Sequence, residues 1–441
     1  MTSELERLAV LPALLRHPRA GREAILAFRD RQLRRLVAHA YARVPCYRRR
    51  MDAHGVRPGA VRGVADLAAL PIVDKAELQA LPVADRLAAG FERRPLRVRR
   101  TSGSTGQPLE IRRTRAEAAC LEVLWGRATW ELGVRRRDRV AVVHRVRAPG
   151  LRSDRLPRRA LRPLGLYRHA SISCLLEPAE IAVALRRFDP HVLNGFPSVL
   201  VHMATELGEG LCGIRPRLVT VGGELLTAPM RERISAAFHA PVLQYYASHE
   251  LHMIGWECRV TGDLHVCDDG LIVEVLDGDR PVAPGGTGEL VATALHSFAM
   301  PFLRFRLGDL VTRGTDACRC GAPFSTLRVV QGRMLDYFRL RDRALHPYHV
   351  ISTIRDGSSW IARFQLVQER VDAITLRVVP RAAPAPEEMD RLREAMRARI
   401  GAGVEVRVEL VGEIGREPSG KFRVSRSLVG SAYEVGSDAG A

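Results

Sequence analysis

The run Thr101-Ser102-Gly103-Ser104-Thr105-Gly106 concentrates backbone N–H groups and hydroxyls in a loop without bulky side chains, a composition suited to cradling phosphate oxygens. Its glycines carry no Cβ to hold a phosphate away. No lysine follows, so it is not a Walker-type loop. Only two of the 68 basic residues are lysines, Lys75 and Lys421. Where a generic positive charge suffices, this chain uses arginine. Lys421, in a Gly-Lys turn near the C-terminus, therefore reads as a position that needs a compact ammonium rather than a planar guanidinium fork. Lys75, in LPIVDKAELQALP, reads as a surface residue opening a short helix.

The cysteines raise a second possibility. There are eight, and no export signal accompanies them, so metal binding or burial outranks a disulfide framework. Cys46, Cys120, Cys174 and Cys212 stand alone and read as small buried hydrophobes. The segments WECRVTGDLHVCDD and CRCG bring soft donors together on turns, as a closed tetrahedral zinc site requires. The expected ligands are Cys258, His265, Cys318 and Cys320, with Cys267 in reserve, and the role expected is structural. Unligated buried thiols are the competing reading.

These groups need a scaffold. Apolar spacing from Leu11 to about Leu81 is helical, broken at Pro45, Pro58 and Pro71. PLRVRRTSGSTGQPLEIRRT then reads as strand, loop, strand, which places the glycine-serine run between two short strands. Helix-like and strand-like segments alternate up to Pro241, the pattern of a mostly parallel sheet covered by helices. Beyond it, short strands with Asp-Gly and Gly-Gly turns suggest a β-rich subdomain. The last hundred or so residues read as two strands, a helix from about Pro386 to Ile400 and a further strand, a small α+β unit. The expected class is α/β: a large N-terminal domain with several subdomains over residues 1–332, a small mobile C-terminal domain over 333–428, and a disordered tail over 429–441.

Composition bounds the remaining classes. The formal net charge of +19 favours anionic ligands such as nucleotides. Arginine is spread over most of the chain, and no helix-turn-helix, zinc-finger or aromatic-basic signature accompanies it, so no specific nucleic acid is expected. No apolar run reaches the roughly 18–20 residues of a membrane span and the N-terminus lacks a signal-peptide pattern, so the expectation is a cytoplasmic protein that uses no membrane.

Thr101-Ser102-Gly103-Ser104-Thr105-Gly106-Gln107-Pro108 resembles the phosphate loop of the acyl-adenylate-forming superfamily, which includes acyl-CoA synthetases, adenylation domains and luciferases. AYARVPCYRRRMDAHGV and DLAALPIVDKAEL resemble in particular the phenylacetate-CoA ligase branch, with its relatives in capsule and secondary metabolism. The resemblance runs from about residue 30 to residue 426. Its further motifs follow in order. Val221-Gly222-Gly223-Glu224 resembles the turn that lines the adenine pocket. Tyr245-Tyr246-Ala247-Ser248-His249-Glu250 resembles the aromatic segment, which implies adenine stacking for Tyr246 and magnesium for Glu250. Arg304-Phe305-Arg306-Leu307-Gly308-Asp309-Leu310 resembles the ribose motif, and a carboxylate at Asp309 suits a vicinal diol. Gly332-Arg333 opens the hinge motif, and Glu417-Pro418-Ser419-Gly420-Lys421 resembles the C-terminal lysine loop.

The resemblance implies ATP- and magnesium-dependent activation of a small carboxylic acid as an acyl-adenylate, followed by transfer to coenzyme A or a carrier-protein thiol. Transfer to an amine, giving an amide, is an alternative acceptor chemistry; a non-catalytic nucleotide-binding scaffold is an alternative class. Catalysis is expected from Lys421, Glu250 and Thr105. Nucleotide contacts are expected from the loop residues with Gly223, Glu224, Tyr246, Ala247, Asp309 and Arg333. The acid pocket is expected from Trp125, Phe196, Pro197, Gly222, Tyr245 and His249, and the hinge at Leu335 and Asp336. Four departures accompany the match: Ala247 replaces a glycine, His249 a hydroxyl residue, Leu335 the hinge aspartate, and Asp342 a glycine beside the expected thiol tunnel.

Overall fold

A computed structural model describes residues 8–100, 109–144, 166–331, 338–342, 344–345, 347, 350–351, 353–354, 360–414 and 425–429. The chain divides into two compact units. The first comprises Met1–Ser102, Pro108–Val134 and Leu243–Gly332; the second comprises Gly103–Gln107, Arg135–Val242 and Arg333–Ala441.

In the first unit, helices Arg22–Arg43, Pro45–Ala53 and Arg115–Glu131 share one apolar core with an antiparallel sheet. Strand order in that sheet is Arg280–Pro281, Leu271–Asp277, Thr287–Ala294, Phe305–Arg313, Thr326–Gln331, Leu264–Val266, His252–Glu257, Val242–Ser248. The longest helix starts after Gly21 and stops where Val44 turns extended ahead of Pro45, as expected for a residue preceding proline. It buries Ile25, Phe28, Leu33, Leu36, Val37 and Ala40, a stripe at three- and four-residue spacing. Helix Arg115–Glu131 opens with a capping box: Thr114 Oγ1 accepts from Glu117 N at 3.2 Å and Thr114 N donates to Glu117 Oε2 at 2.6 Å. The other oxygen of Glu117 accepts from Phe298 N at 2.5 Å and Ala299 N at 2.7 Å, so one buried carboxylate ties helix to loop.

The second unit contains the parallel sheet expected from the alternating pattern. Its order is Arg168–Ser173, Arg139–His144, Val192–Gly195, Leu218–Gly222, all parallel. Helices Pro178–Phe188 and Pro197–Leu207 lie between these strands in the chain, Ala228–Phe238 follows the last of them, and all three share a core with the sheet. Residues 360–410 form strands Ile361–Arg370 and Ala373–Pro380, helix Pro386–Ile400 and strand Glu405–Leu410, with Ser425–Ser427 added alongside Ile361–Arg370. They have a core of their own that includes Phe364, Leu376, Met396 and Val406. The α/β class is thus observed, with the predicted α+β order at the C-terminal end. No described helix is long and apolar enough to cross a membrane.

Candidate functional site

Tyr246 and Asp309 come from different strands of the first unit and meet directly. The tyrosine hydroxyl donates to Asp309 Oδ2 at 2.7 Å, and Asp309 is buried. Gly308, just before it, has φ +81°, a conformation that costs glycine nothing and strains other residues. The strand carrying Tyr246 is irregular here. Tyr246 pairs with Gly255 while Ala247 pairs with Met253, which leaves Ile254 as an extra residue. Such a bulge twists the ladder and re-aims side chains next to it.

Glu250 is buried at the end of the same segment, and its surroundings are cationic. Lys75 Nζ lies 3.0 Å from Glu250 Oε1, with side chains only 14% and 5% exposed. Arg113 Nη2 donates to the carbonyls of His249 and Glu250, each at 2.8 Å. Burial pushes the Arg113 guanidinium down to about 10, and the buried carboxylates Glu117 and Glu250 oppose that shift. The reading of Lys75 as a surface residue is corrected: it does open helix Lys75–Ala80, but its charge is turned inward onto Glu250.

The segment bearing Lys75 is laced to the start of strand Phe305–Arg313. Val73 N donates to Arg304 O at 2.9 Å and Arg306 N donates to Val73 O at 2.9 Å. Arg304 is buried with φ +42°; its guanidinium donates to Leu70 O at 2.6 Å and Ala68 O at 3.2 Å and pairs with Glu274 at 2.9 Å. This arginine is thus a brace for the chain leading to Lys75. Sequence reasoning passed over Arg113 and this use of Arg304. The scarcity of lysine was the available signal for Lys75.

Of the expected acid-pocket residues, Trp125 and Tyr245 are in edge contact, ring centroids 5.2 Å apart, and Trp125 packs likewise on His252 at 5.3 Å. His249 is exposed, as is Trp130. In the second unit Phe196 caps helix Pro197–Leu207, and a Cβ on Gly223 would fall 2.9 Å from the Phe196 ring. Gly223 also has φ +82°, so two constraints require glycine there. Gly222 ends the buried strand Leu218–Gly222, and Glu224 Oε2 accepts from Ser198 N at 3.1 Å, which fixes that turn on the helix start. Thr101 to Gly106, Arg333, Leu335, Asp336 and Lys421 lie outside the described residues.

The cysteine cluster converges. Cys258 Sγ, His265, Cys318 Sγ and Cys320 Sγ present ligand atoms that all lie within 4.8 Å of one another. Cys258 and Cys318 sulfurs are 3.8 Å apart, and Cys320 Sγ is 3.4 Å from His265 Nε2. A tetrahedron with Zn–S bonds of about 2.3 Å has edges of about 3.8 Å, so the donor set has the size as well as the chemistry of a zinc site. Turn backbone shapes it: Gly262 N donates to Cys258 O at 2.9 Å, and Gly321 N donates to Cys318 O at 3.1 Å with Gly321 at φ +88°. Ala322 N points at Cys320 Sγ at 3.4 Å. Burial pushes the His265 imidazole down to about 4, which keeps it neutral with a lone pair to donate.

Two cysteine expectations are corrected. Cys267 belongs elsewhere, fully buried, with its sulfur accepting from Arg127 Nη2 at 3.4 Å. It follows strand Leu264–Val266, and its sulfur is held by Arg127 and Asp269 rather than by the cluster. Cys212 is exposed.

The chain is 27% identical to a phenylacetate-coenzyme A ligase of Thermus thermophilus, over 91% of this chain and 96% of that protein. It is 25% identical to the phenylacetate-coenzyme A ligase of Escherichia coli, over 93% of this chain and 97% of that protein. The CapK C-terminal domain family matches residues 341–427. A solved structure of 2-hydroxyisobutyryl-CoA ligase, in complex with 2-HIB-AMP and CoA, matches with a TM-score of 0.61 at 22% identity, covering 94% of this chain and 92% of that one. At that identity the last likeness bears on fold alone, and it agrees with the α/β architecture described above. With its motifs in order and similarity over nearly its whole length to named ligases, the chain resembles the phenylacetate-CoA ligase branch of the acyl-adenylate-forming superfamily.

Proposed function

We propose that this protein is an AMP-forming acid–thiol ligase that activates a small carboxylic acid with ATP and passes the acyl group to coenzyme A. The observation that carries the reading is the Tyr246–Asp309 pair together with a buried, cation-held Glu250, in a chain similar over nearly its whole length to phenylacetate-coenzyme A ligases. In the first half-reaction a carboxylate oxygen attacks the α-phosphorus, a new O–P bond forms, and pyrophosphate leaves. In the second, a thiolate attacks the acyl carbonyl and AMP leaves.

Two anions repel at the first step, so positive charge must neutralise both carboxylate and phosphate oxygens. A magnesium ion held by the hard oxygen of Glu250 supplies part of that charge when bound. In this reading Asp309 accepts from the two ribose hydroxyls and Tyr246 stacks on adenine, and nucleotide-contact roles also fall to Ala247, to Gly223 and Glu224, and to the run Thr101 to Gly106. Lys421 contributes an ammonium during adenylation and withdraws for thiolation, which requires rotation about Arg333 to Asp336. The division into a large domain over 1–332 and a small one over 333–428 belongs to this reading; the match at residues 341–427 supports it. Acid-binding roles for Trp125, Tyr245 and His249, and for Phe196, Pro197 and Gly222, belong to the same reading.

The same reading assigns a structural zinc ion to Cys258, His265, Cys318 and Cys320, supported by the fit of donor type and spacing. It would tie strands to turns in the first unit without touching the reacting atoms. A pyrophosphate-exchange screen over aromatic, amino and fatty acids tests the ligase assignment. Wild type is expected to exchange with at least one class, and Lys421→Ala to lose about 100-fold or more of that rate while folding normally. Equal exchange in both proteins would remove Lys421 from the mechanism.

A further inference from the structure

We infer that Lys75 is the resident counter-cation of Glu250, a positioning residue that occupies the carboxylate until a divalent ion displaces it. The inference rests on the reading of Glu250 as a magnesium ligand and adds how that ligand is held and released. Both partners are largely withdrawn from water, so the 3.0 Å contact is not an ordinary solvated ion pair. A buried carboxylate needs a partner at every stage of a cycle in which the metal arrives with nucleotide and leaves with product.

The backbones on either side are fixed. Asp74 Oδ1 accepts from Glu77 N at 2.8 Å and Glu77 Oε2 accepts from Asp74 N at 3.0 Å, which locks the start of the Lys75 helix. Val73 is bonded to Arg304 and Arg306, and Arg113 clamps the carbonyls of His249 and Glu250. Between these fixed backbones the ammonium is carried on the four-carbon stem of Lys75, which has several rotatable bonds. An ammonium at Oε1 and a divalent ion at about 2.0–2.1 Å from the same carboxylate would repel, so the two exchange rather than coexist.

Residue type supports this. In a chain with two lysines among 68 basic residues, one of the two faces this carboxylate. A guanidinium would grip both carboxylate oxygens through a planar fork, whereas an ammonium makes a point contact that a metal can replace.

The test compares wild type, Lys75→Met and Lys75→Arg by Mn²⁺ titration, followed by electron paramagnetic resonance, in the presence of α,β-methylene-ATP, and by the Mg²⁺ dependence of pyrophosphate exchange. Loss of the competing ammonium should tighten Mn²⁺ about threefold or more in K75M and lower the Mg²⁺ half-saturation in parallel. The forked guanidinium should weaken both by about tenfold in K75R, with kcat at saturating Mg²⁺ changing less than the metal affinity does. Metal affinities unmoved in both variants, or a fall in kcat without a shift in half-saturation, overturn the inference. Thermal melts check folding, and if K75M does not fold the K75R titration decides. Failure of wild type to exchange with any acid would sink the ligase reading itself; an active wild type with unshifted variants would sink only the role of Lys75.

Discussion

Tyr246 donates its hydroxyl to Asp309 Oδ2 at 2.7 Å, so the side chains assigned to adenine and ribose hold each other in place. Under the proposed roles, a ribose diol would share or displace that hydrogen bond. Asp309→Ala removes a buried ionised acceptor, and hydrogen bonds to charged groups contribute about 1.5–3 kcal/mol, so KM for ATP should rise about 10- to 100-fold. Tyr246→Phe keeps the ring and frees the carboxylate, so its effect should be within about threefold. Steady-state kinetics with ATP as the varied substrate checks both; a larger loss in Y246F than in D309A would reverse the assignment.

Arg127 and Asp269 form a buried two-pronged pair in the first unit, with Arg127 Nη1 to Oδ2 at 2.5 Å and Nη2 to Oδ1 at 2.7 Å. Burial opposes ionisation of Asp269, but the Arg127 guanidinium and hydrogen bonds from Arg127 and His17 outweigh it and hold the carboxyl well below the usual range. Arg127→Met leaves that charge buried without its main partner and should cost about 3–5 kcal/mol. Arg127→Met with Asp269→Asn should recover part of the loss. Guanidinium denaturation midpoints of the three proteins measure it, and a single variant as stable as wild type would refute the accounting.

His296 supplies a pH dependence. It is buried, and desolvation pushes its imidazole below the usual value, while Nε2 sits 2.8 Å from the Asp269 carbonyl. The unfolded chain therefore binds more protons than the folded one at pH values below about 6.5, and stability contributed by the neutral ring is lost as pH falls through that range. His296→Gln keeps a donor and removes the titration, so unfolding free energy between pH 7 and pH 5 should fall less steeply in H296Q than in wild type. Parallel slopes would show that the ring contributes nothing to the acid sensitivity.

Zinc content should distinguish the cysteines. Metal analysis of purified protein is expected to find one zinc per chain, abolished by Cys318→Ser and retained by Cys267→Ser, because the Cys267 sulfur faces Arg127 instead. Chelation should lower the melting temperature by roughly 5 °C or more, since binding energy at a closed site adds directly to folding energy. Equal zinc loss in both variants would place Cys267 in the site.

Local patterns in the sequence were enough for the α/β class, for the strand-rich stretch after Pro241 and for the four donors that converge at the cysteine cluster. Those features depend on hydrophobic period, turn residues and ligand chemistry, all of which operate over a few residues. The motifs also singled out Tyr246 and Asp309, which the structure places in direct contact, and Glu250, which it buries against Lys75.

Tertiary structure alone decided which charges face one another. Lys75 and Glu250 are remote in the chain, and nothing in the short helix around Lys75 distinguishes a side chain turned inward from one in water. The same holds for Cys267, whose neighbours in sequence suggested a ligand and whose packing made it a partner of Arg127. The physical reason is that desolvation and Coulomb energy are set by what surrounds a group after the chain has packed, and those surroundings are assembled from segments that no local period connects.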